Sequence, residues 1–149
     1  VSKRIRGGLH FTNAQLETKD WVEQFVSKRI RGGLHFTNAA NTFFQGLAAD
    51  GAKRAVVAMT AEMYGIEQSP LNGSRLCIFA HDETIIDIPD RGVDFVDKAA
   101  RRQAEVMVEQ MRTVVPDVKV SAEPALMKFW SKEAKERKDE RGRYIVWDS

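Results

Sequence analysis

One cysteine, four prolines and no long apolar run are the first facts of this 149-residue sequence. The single thiol, Cys77, excludes an internal disulfide and a multi-cysteine zinc site, and it suits a reducing compartment such as the cytoplasm. No apolar stretch approaches the ~20 residues that a bilayer-crossing helix needs, so no membrane partner is expected. The opening Val1-Ser2-Lys3-Arg4-Ile5-Arg6 is followed by no apolar segment, so no secretory leader is visible. Net charge is scarce as well: 23 bases against 21 acids leave +2. That excludes a strongly basic nucleic-acid coat as the whole function, and an acidic solvating tail. What is plentiful is ordinary. Apolar residues at 43% and charged residues at 30% give a globular balance, at the size of one domain or a piece of one.

The small net charge hides an uneven distribution. Residues 1–33 hold seven bases against three acids, and residues 60–99 hold eight acids against three bases. A cationic start can meet phosphate, and an acidic middle can hold a hard cation such as Mg2+. From charge alone both read first as ordinary solvated faces.

The sequence also repeats itself. Val1–Ala14 and Val26–Ala39 both read VSKRIRGGLHFTNA without a mismatch. Repeat architectures show loose self-similarity over several units, not one perfect copy. Residues 1–25 are therefore read as a suspect duplicated leader, and 26–149 as the unit in native context. His10 and His35 occupy the same place in the two copies and lack a partner at metal-ligand spacing.

Apolar positions stepping by three and four predict a helix over 38–64, with Phe44, Leu47, Ala48, Ala52, Ala55, Val56, Met59 and Met63 on its buried stripe and Gly65 as its stop. Two short apolar runs, 75–80 and 84–88, predict a hairpin around His81-Asp82-Glu83. A second helix is predicted over 93–114, ended by Pro116. Alternation over 118–125 predicts a third strand. The 131–143 stretch carries six bases and four acids and reads as a solvated linker or helix. The expected fold class is α+β: a small antiparallel sheet (hairpin plus C-terminal strand) with two long helices packed on one face. Cys77 is expected in the core, and Trp130 and Trp147 are expected to pack, with base stacking as the alternative use.

Two places can carry chemistry. Carboxylates fixed at a tight hairpin tip, here Asp82 and Glu83 beside His81, are what metal-assisted phosphoryl transfer requires. Asn41 and Gln45 lie four apart on one helix face and offer side-chain amides to a groove edge or a sugar. Arg31, in a basic stretch, can attract phosphate.

The string NTFFQGLAADGAKRA at 41–55, followed by LCIFAHDETIIDIP at 76–89, resembles the C-terminal palm of family A DNA polymerases, the DNA polymerase I type. That family has an Asn-x-x-x-Gln-Gly-x-x-Ala-Asp helix followed by a His-Asp-Glu hairpin. Phage and prophage members, with an Arg-Gly-Gly-Leu opening and a Met-x-x-Trp-Ser-Lys ending, are the most similar; the likeness covers about residues 28–149. The resemblance implies roles residue by residue. Asp82 would ligate Mg2+, two ions being used in the complete enzyme. Glu83 would support that metal, and His81 would lie against the primer end. Asn41 and Gln45 would touch the minor-groove side of primer-template DNA near the active site. The reaction would be attack of the primer 3′ hydroxyl on a deoxynucleoside triphosphate. Two departures stand out. Thr37 occupies the place where cellular members often carry Arg. The second metal-binding Asp, in an Asp-Tyr-Ser type motif, and the fingers helix do not occur in these residues. The chain therefore reads as a palm fragment that needs a missing N-terminal polymerase part and is inactive alone. A non-catalytic nucleic-acid-binding module and an α+β interaction protein are the competing readings.

Overall fold

The computed structural model describes residues 21–24, 27–34, 36–80 and 83–147. Among them the elements run β1 (Trp21–Glu23), β2 (Ile30–Gly32), α1 (Phe36–Gly65), β3 (Arg75–Ala80), β4 (Glu83–Asp87) and α2 (Val93–Arg112). Strands β1 and β2 pair antiparallel with Val22 opposite Arg31, and β3 and β4 pair antiparallel with Arg75 opposite Asp87. The class is α+β, as expected.

Helix α1 has 30 residues, about 45 Å of rise, and everything else hangs on it. Among the described side chains its buried positions are Ala39, Thr42, Phe43, Gly46, Asp50, Gly51, Ala52, Ala55, Met59 and Met63. The N-terminal half of the expected stripe is thereby corrected. Phe44 and Ala48 face outward, and Phe43 and Gly46 face inward. A hydrophobicity pattern gives no weight to glycine or aspartate, so it could not find the packing face there. The helix ends at Gly65. A turn-rich loop then buries Leu71 completely and returns Gly73 N–H to Met63 O at 3.2 Å.

Helix α2 packs antiparallel to the C-terminal half of α1. The main core joins Ala55, Met59 and Met63 of α1 to Leu71, Ala99 and Val106, with Leu76, Ile86 and Ile88 of the hairpin region packed against them. Both helices thus lie on one face of the β3–β4 hairpin. Close approach depends on Gly51. A Cβ there would lie 2.5 Å from Met111 Sδ and 3.2 Å from Met111 Cα, so an alanine would displace the Met111 side chain and crowd its backbone.

An ion cluster closes the edge of this core. Arg102 donates from Nη2 to Glu62 Oε1 at 2.7 Å and from Nε to Glu62 Oε2 at 3.0 Å, while its Nη1 reaches Glu109 at 2.9 Å and Glu105 at 3.2 Å. Ser69 Oγ also donates to Glu62, at 2.6 Å. The Arg102 hydrogen bonds outweigh burial and hold the Glu62 carboxyl below its usual range. Asp97 is buried and accepts from Arg101 Nε at 2.9 Å and from Tyr144 N–H at 2.7 Å. The Arg101 bond is again the larger cause, and it lowers the Asp97 carboxyl.

The C-terminal segment differs from expectation. No strand forms over 118–125, and no helix forms over 131–143. Pro124 removes a donor that a ladder would need, and Pro116 precedes the stretch by a few residues. The segment instead ties to itself and to α2. Leu126 bridges Val146, Lys138 bridges Tyr144, and Trp147 N–H donates to Leu126 O at 2.7 Å. Arg143 links Asp139 and Asp94, each within 2.8 Å. The sheet expected to hold three strands is a two-stranded hairpin.

Cys77 is exposed, which corrects its expected core placement. It falls between Leu76, paired with Ile86, and Ile78, paired with Ile85, so it is the extra residue of a β-bulge on an edge strand.

Both lowered carboxylates contribute stability that is complete above their unfolded-state values, near pH 4, and is lost as pH falls through the lower folded-state values. The melting temperature is therefore expected to fall as the pH drops below about 4. Glu62→Gln is expected to cost about 1–3 kcal/mol at pH 7, discounted for partial exposure, and to flatten that acid limb. Thermal melts at stepped pH check both.

Candidate functional site

The structure brings three of the predicted site residues to one region. The β1–β2 ribbon lies against the N-terminal half of α1, where Val22, Ala39 and Phe43 form a second small core with Leu34. Gln24, buried, donates from Nε2 to Phe43 O at 3.2 Å. Arg29 donates to Gly46 O at 3.0 Å and to Asp50 Oδ1 at 2.9 Å. Lys28 holds a left-handed backbone (φ 57°) between these two, and its N–H donates to Gln24 O at 2.8 Å. The ribbon is thereby stapled along the helix. Trp21–Gln24, the end of the suspected leader, takes part in this packing.

Arg31 of β2 is exposed, and its Nη1 donates to Thr42 Oγ1 at 3.4 Å. Thr42 Oγ1 in turn donates to Asn38 O at 2.7 Å. Arg31 therefore stands beside the turn of α1 that carries Asn41. Asn41 and Gln45 are both exposed and share a helix face. A guanidinium and two carboxamides are presented to solvent on one section of the molecule. That is a polar, hydrogen-bonding surface with one fixed positive charge. It can take phosphate at Arg31 and groove-edge acceptors at the amides.

The close fit beneath this surface rests on Gly46. A Cβ there would collide with the Gln24 carboxamide, whose Cδ would lie 2.8 Å away. Asp50 shows the same pressure. Its Oδ1 is bound by Arg29, while Oδ2 is buried without a hydrogen-bond partner.

The hairpin site is described only in part. His81 and Asp82 lie outside the described residues, and so does the expected approach of Asp82 to Gln45. Glu83 opens β4, exposed and opposite Ala80. Its neighbour Thr84 is held by α2: Gln103 Nε2 donates to Thr84 O at 2.8 Å and to its Oγ1 at 3.0 Å. Gln103 went unnoticed in the sequence because a lone glutamine in a helical stripe carries no motif. The hairpin starts beside the C-terminal end of α1 and runs back along it, since Gly73 bonds Met63 and Thr84 meets Met107 of the antiparallel α2. The Asn41–Gln45 surface lies further on in that direction.

The resemblance implies Mg2+ at Asp82 and Glu83. Among the described residues no three His, Cys, Asp or Glu side chains gather as a metal-holding group. Glu83 by itself, one exposed carboxylate, does not fit a two-ion centre. A cavity of about 320 Å3 opens beside Glu83, lined also by Thr84, Gln103, Met107 and Trp130. A second, of about 470 Å3, shares Thr84 and Gln103 with it and extends toward Tyr144 and Val146. His10 and His35 fall outside the described residues. Trp147 is half-buried, and Trp130 is exposed, so the expected packing role fails for Trp130. No described helix is long and apolar enough to cross a membrane.

Comparison with protein families, curated proteins and solved structures found no match.

Gly46→Ala is expected to displace Gln24 and strand its buried amide, a loss of about 1–2 kcal/mol after the gain in helix propensity. Adding Gln24→Ala makes room for the new Cβ. In a double-mutant cycle followed by thermal melting, the pair should couple favourably, with Gly46→Ala close to neutral in the Gln24→Ala background.

Proposed function

We propose that the chain is the C-terminal palm portion of a template-directed DNA polymerase of family A type. The observation that carries this reading is the grouping of Arg31 of β2, an exposed cation, beside the N-terminal half of α1 that carries the exposed amides Asn41 and Gln45. Their sequence order, followed by the His81-Asp82-Glu83 hairpin, supports it. Minor-groove acceptors are common to all base pairs, so amides there check pairing geometry without reading sequence. Arg31 supplies a phosphate contact that fixes register. The ribbon and Gly46 hold this surface rigid, which lowers the ordering cost of binding.

The complete enzyme joins a deoxynucleoside triphosphate to a primer 3′ hydroxyl with two Mg2+ ions. This chain would contribute Asp82, Glu83 and His81. The other palm carboxylate and the fingers would come from the missing N-terminal polymerase part, and the chain alone would bind primer-template DNA without extending it. Such an enzyme works where chromosomes or phage genomes are copied, in the cytoplasm of a bacterial or infected cell.

The test is duplex binding by the parent chain and by Asn41→Ala/Gln45→Ala, with a labelled primer-template and no nucleotide. The parent should bind in a salt-sensitive manner, and the double variant about tenfold more weakly with an unchanged melting temperature. Primer extension with Mg2+ should be absent for the parent and for Asp82→Ala alike. No duplex binding by the parent would overturn the reading. Extension that Asp82→Ala abolishes would overturn the claim that the chain is inactive alone.

A further inference from the structure

The most exposed aromatic pair among the described residues lies far from Arg31 in the chain, at Phe129 and Trp130. Phe129 is 86% exposed and Trp130 57%. Two adjacent aromatic rings left in water cost free energy unless something covers them. Lys128, Lys132 and Lys135 flank them and are exposed. The nearby acids are largely committed elsewhere: Glu136 pairs with Lys138, and Asp139 with Arg143. The three lysines form no ion pair with the described residues, and Glu133 is the one acid between them. The chain on either side of the rings is tied down. Leu126 is bridged to Val146 on one side. On the other, Ser131 N–H donates to Met127 Sδ at 3.3 Å and Glu133 N–H to Ser131 Oγ at 3.2 Å. Trp130 and Lys132 further line the 320 Å3 cavity beside Glu83.

We propose that the Lys128–Lys135 segment is a binding platform for single-stranded nucleic acid, with Trp130 and Phe129 stacking on bases and Lys128, Lys132 and Lys135 taking phosphates. Stacking needs an unpaired base with a free face, which a duplex does not offer, whereas every base of a single strand has one. Lys128, Lys132 and Lys135, four and three residues apart, place exposed cations along the same segment, and the phosphates of such a strand attract them. A protein partner fits less well, because lysine is depleted from the cores of protein interfaces. The platform goes beyond the polymerase reading and does not rest on it: the duplex surface is built by β2 and α1, and this one by the C-terminal segment.

The experiment measures binding of the full chain to a fluorescent oligothymidylate, without primer, nucleotide or Mg2+, across a salt series. The parent should bind. Trp130→Ala should weaken binding about tenfold or more, and Trp130→Phe should retain most of it. Lys128→Gln/Lys132→Gln should lower the salt slope by about 1.4. Melting temperatures establish that each variant is folded, and Phe129→Ala, expected to weaken binding as well, carries the comparison if Trp130→Ala is not. No binding by the parent would overturn the platform while leaving the duplex surface untouched. Equal binding by parent and Trp130→Ala would also overturn it, as would binding to anionic phospholipid vesicles in place of the oligonucleotide.

Discussion

Two antiparallel helices can lie as close as α1 and α2 do only where one of them lacks a side chain. Gly51 provides that gap, opposite the backbone of Met111. Once the helices are that close, Arg102 can reach Glu62 with two hydrogen bonds, and the hairpin can lay Leu76 and Ile86 across both. The position of Glu83 follows from this contact, because Thr84 is fixed by Gln103 of α2 and not by the sheet alone. A two-stranded hairpin is marginal by itself; here the helix pair makes it stable.

The same device recurs at the other end of α1. Gly46 lets Gln24 and Arg29 press against the helix, and the ribbon they belong to carries Arg31 to the turn bearing Asn41. One long helix thus connects a cationic, amide-bearing surface with a carboxylate-bearing hairpin.

Much of this was legible in the sequence, because strong periodicity marks it. Both helices and the hairpin follow from apolar spacing and from the loop residues between Gly65 and Ser74. The packing face around Gly46, Asp50 and Gly51 was not legible. It is made of residues that hydrophobicity ignores, and its logic lies in what a neighbour needs, not in what the helix itself prefers. Ribbon strand β1 is only Trp21–Glu23 and lies beside a repeated segment, where no pattern has room to show. The alternation at 118–125 was misleading, since Pro124 withholds a donor that a ladder would need. Cys77 and Trp130 were misplaced for a related reason: a bulge and a turn expose residues whose type favours burial. Of the candidate site, Arg31, Asn41 and Gln45 were singled out from spacing and charge, and the structure exposes all three.

The central claim is that Asp82 and Glu83 are half of a catalytic centre whose other half lies in an upstream polymerase part. The most direct measurement is complementation. This chain is mixed with the fingers-containing portion of a phage family A polymerase truncated before its His-Asp-Glu hairpin, and primer extension is followed with Mg2+. Extension is predicted only when both parts are present, and it should disappear with Asp82→Ala. Extension undiminished by Asp82→Ala, or none from a mixture in which the two parts are seen to associate on the primer-template, would contradict the account.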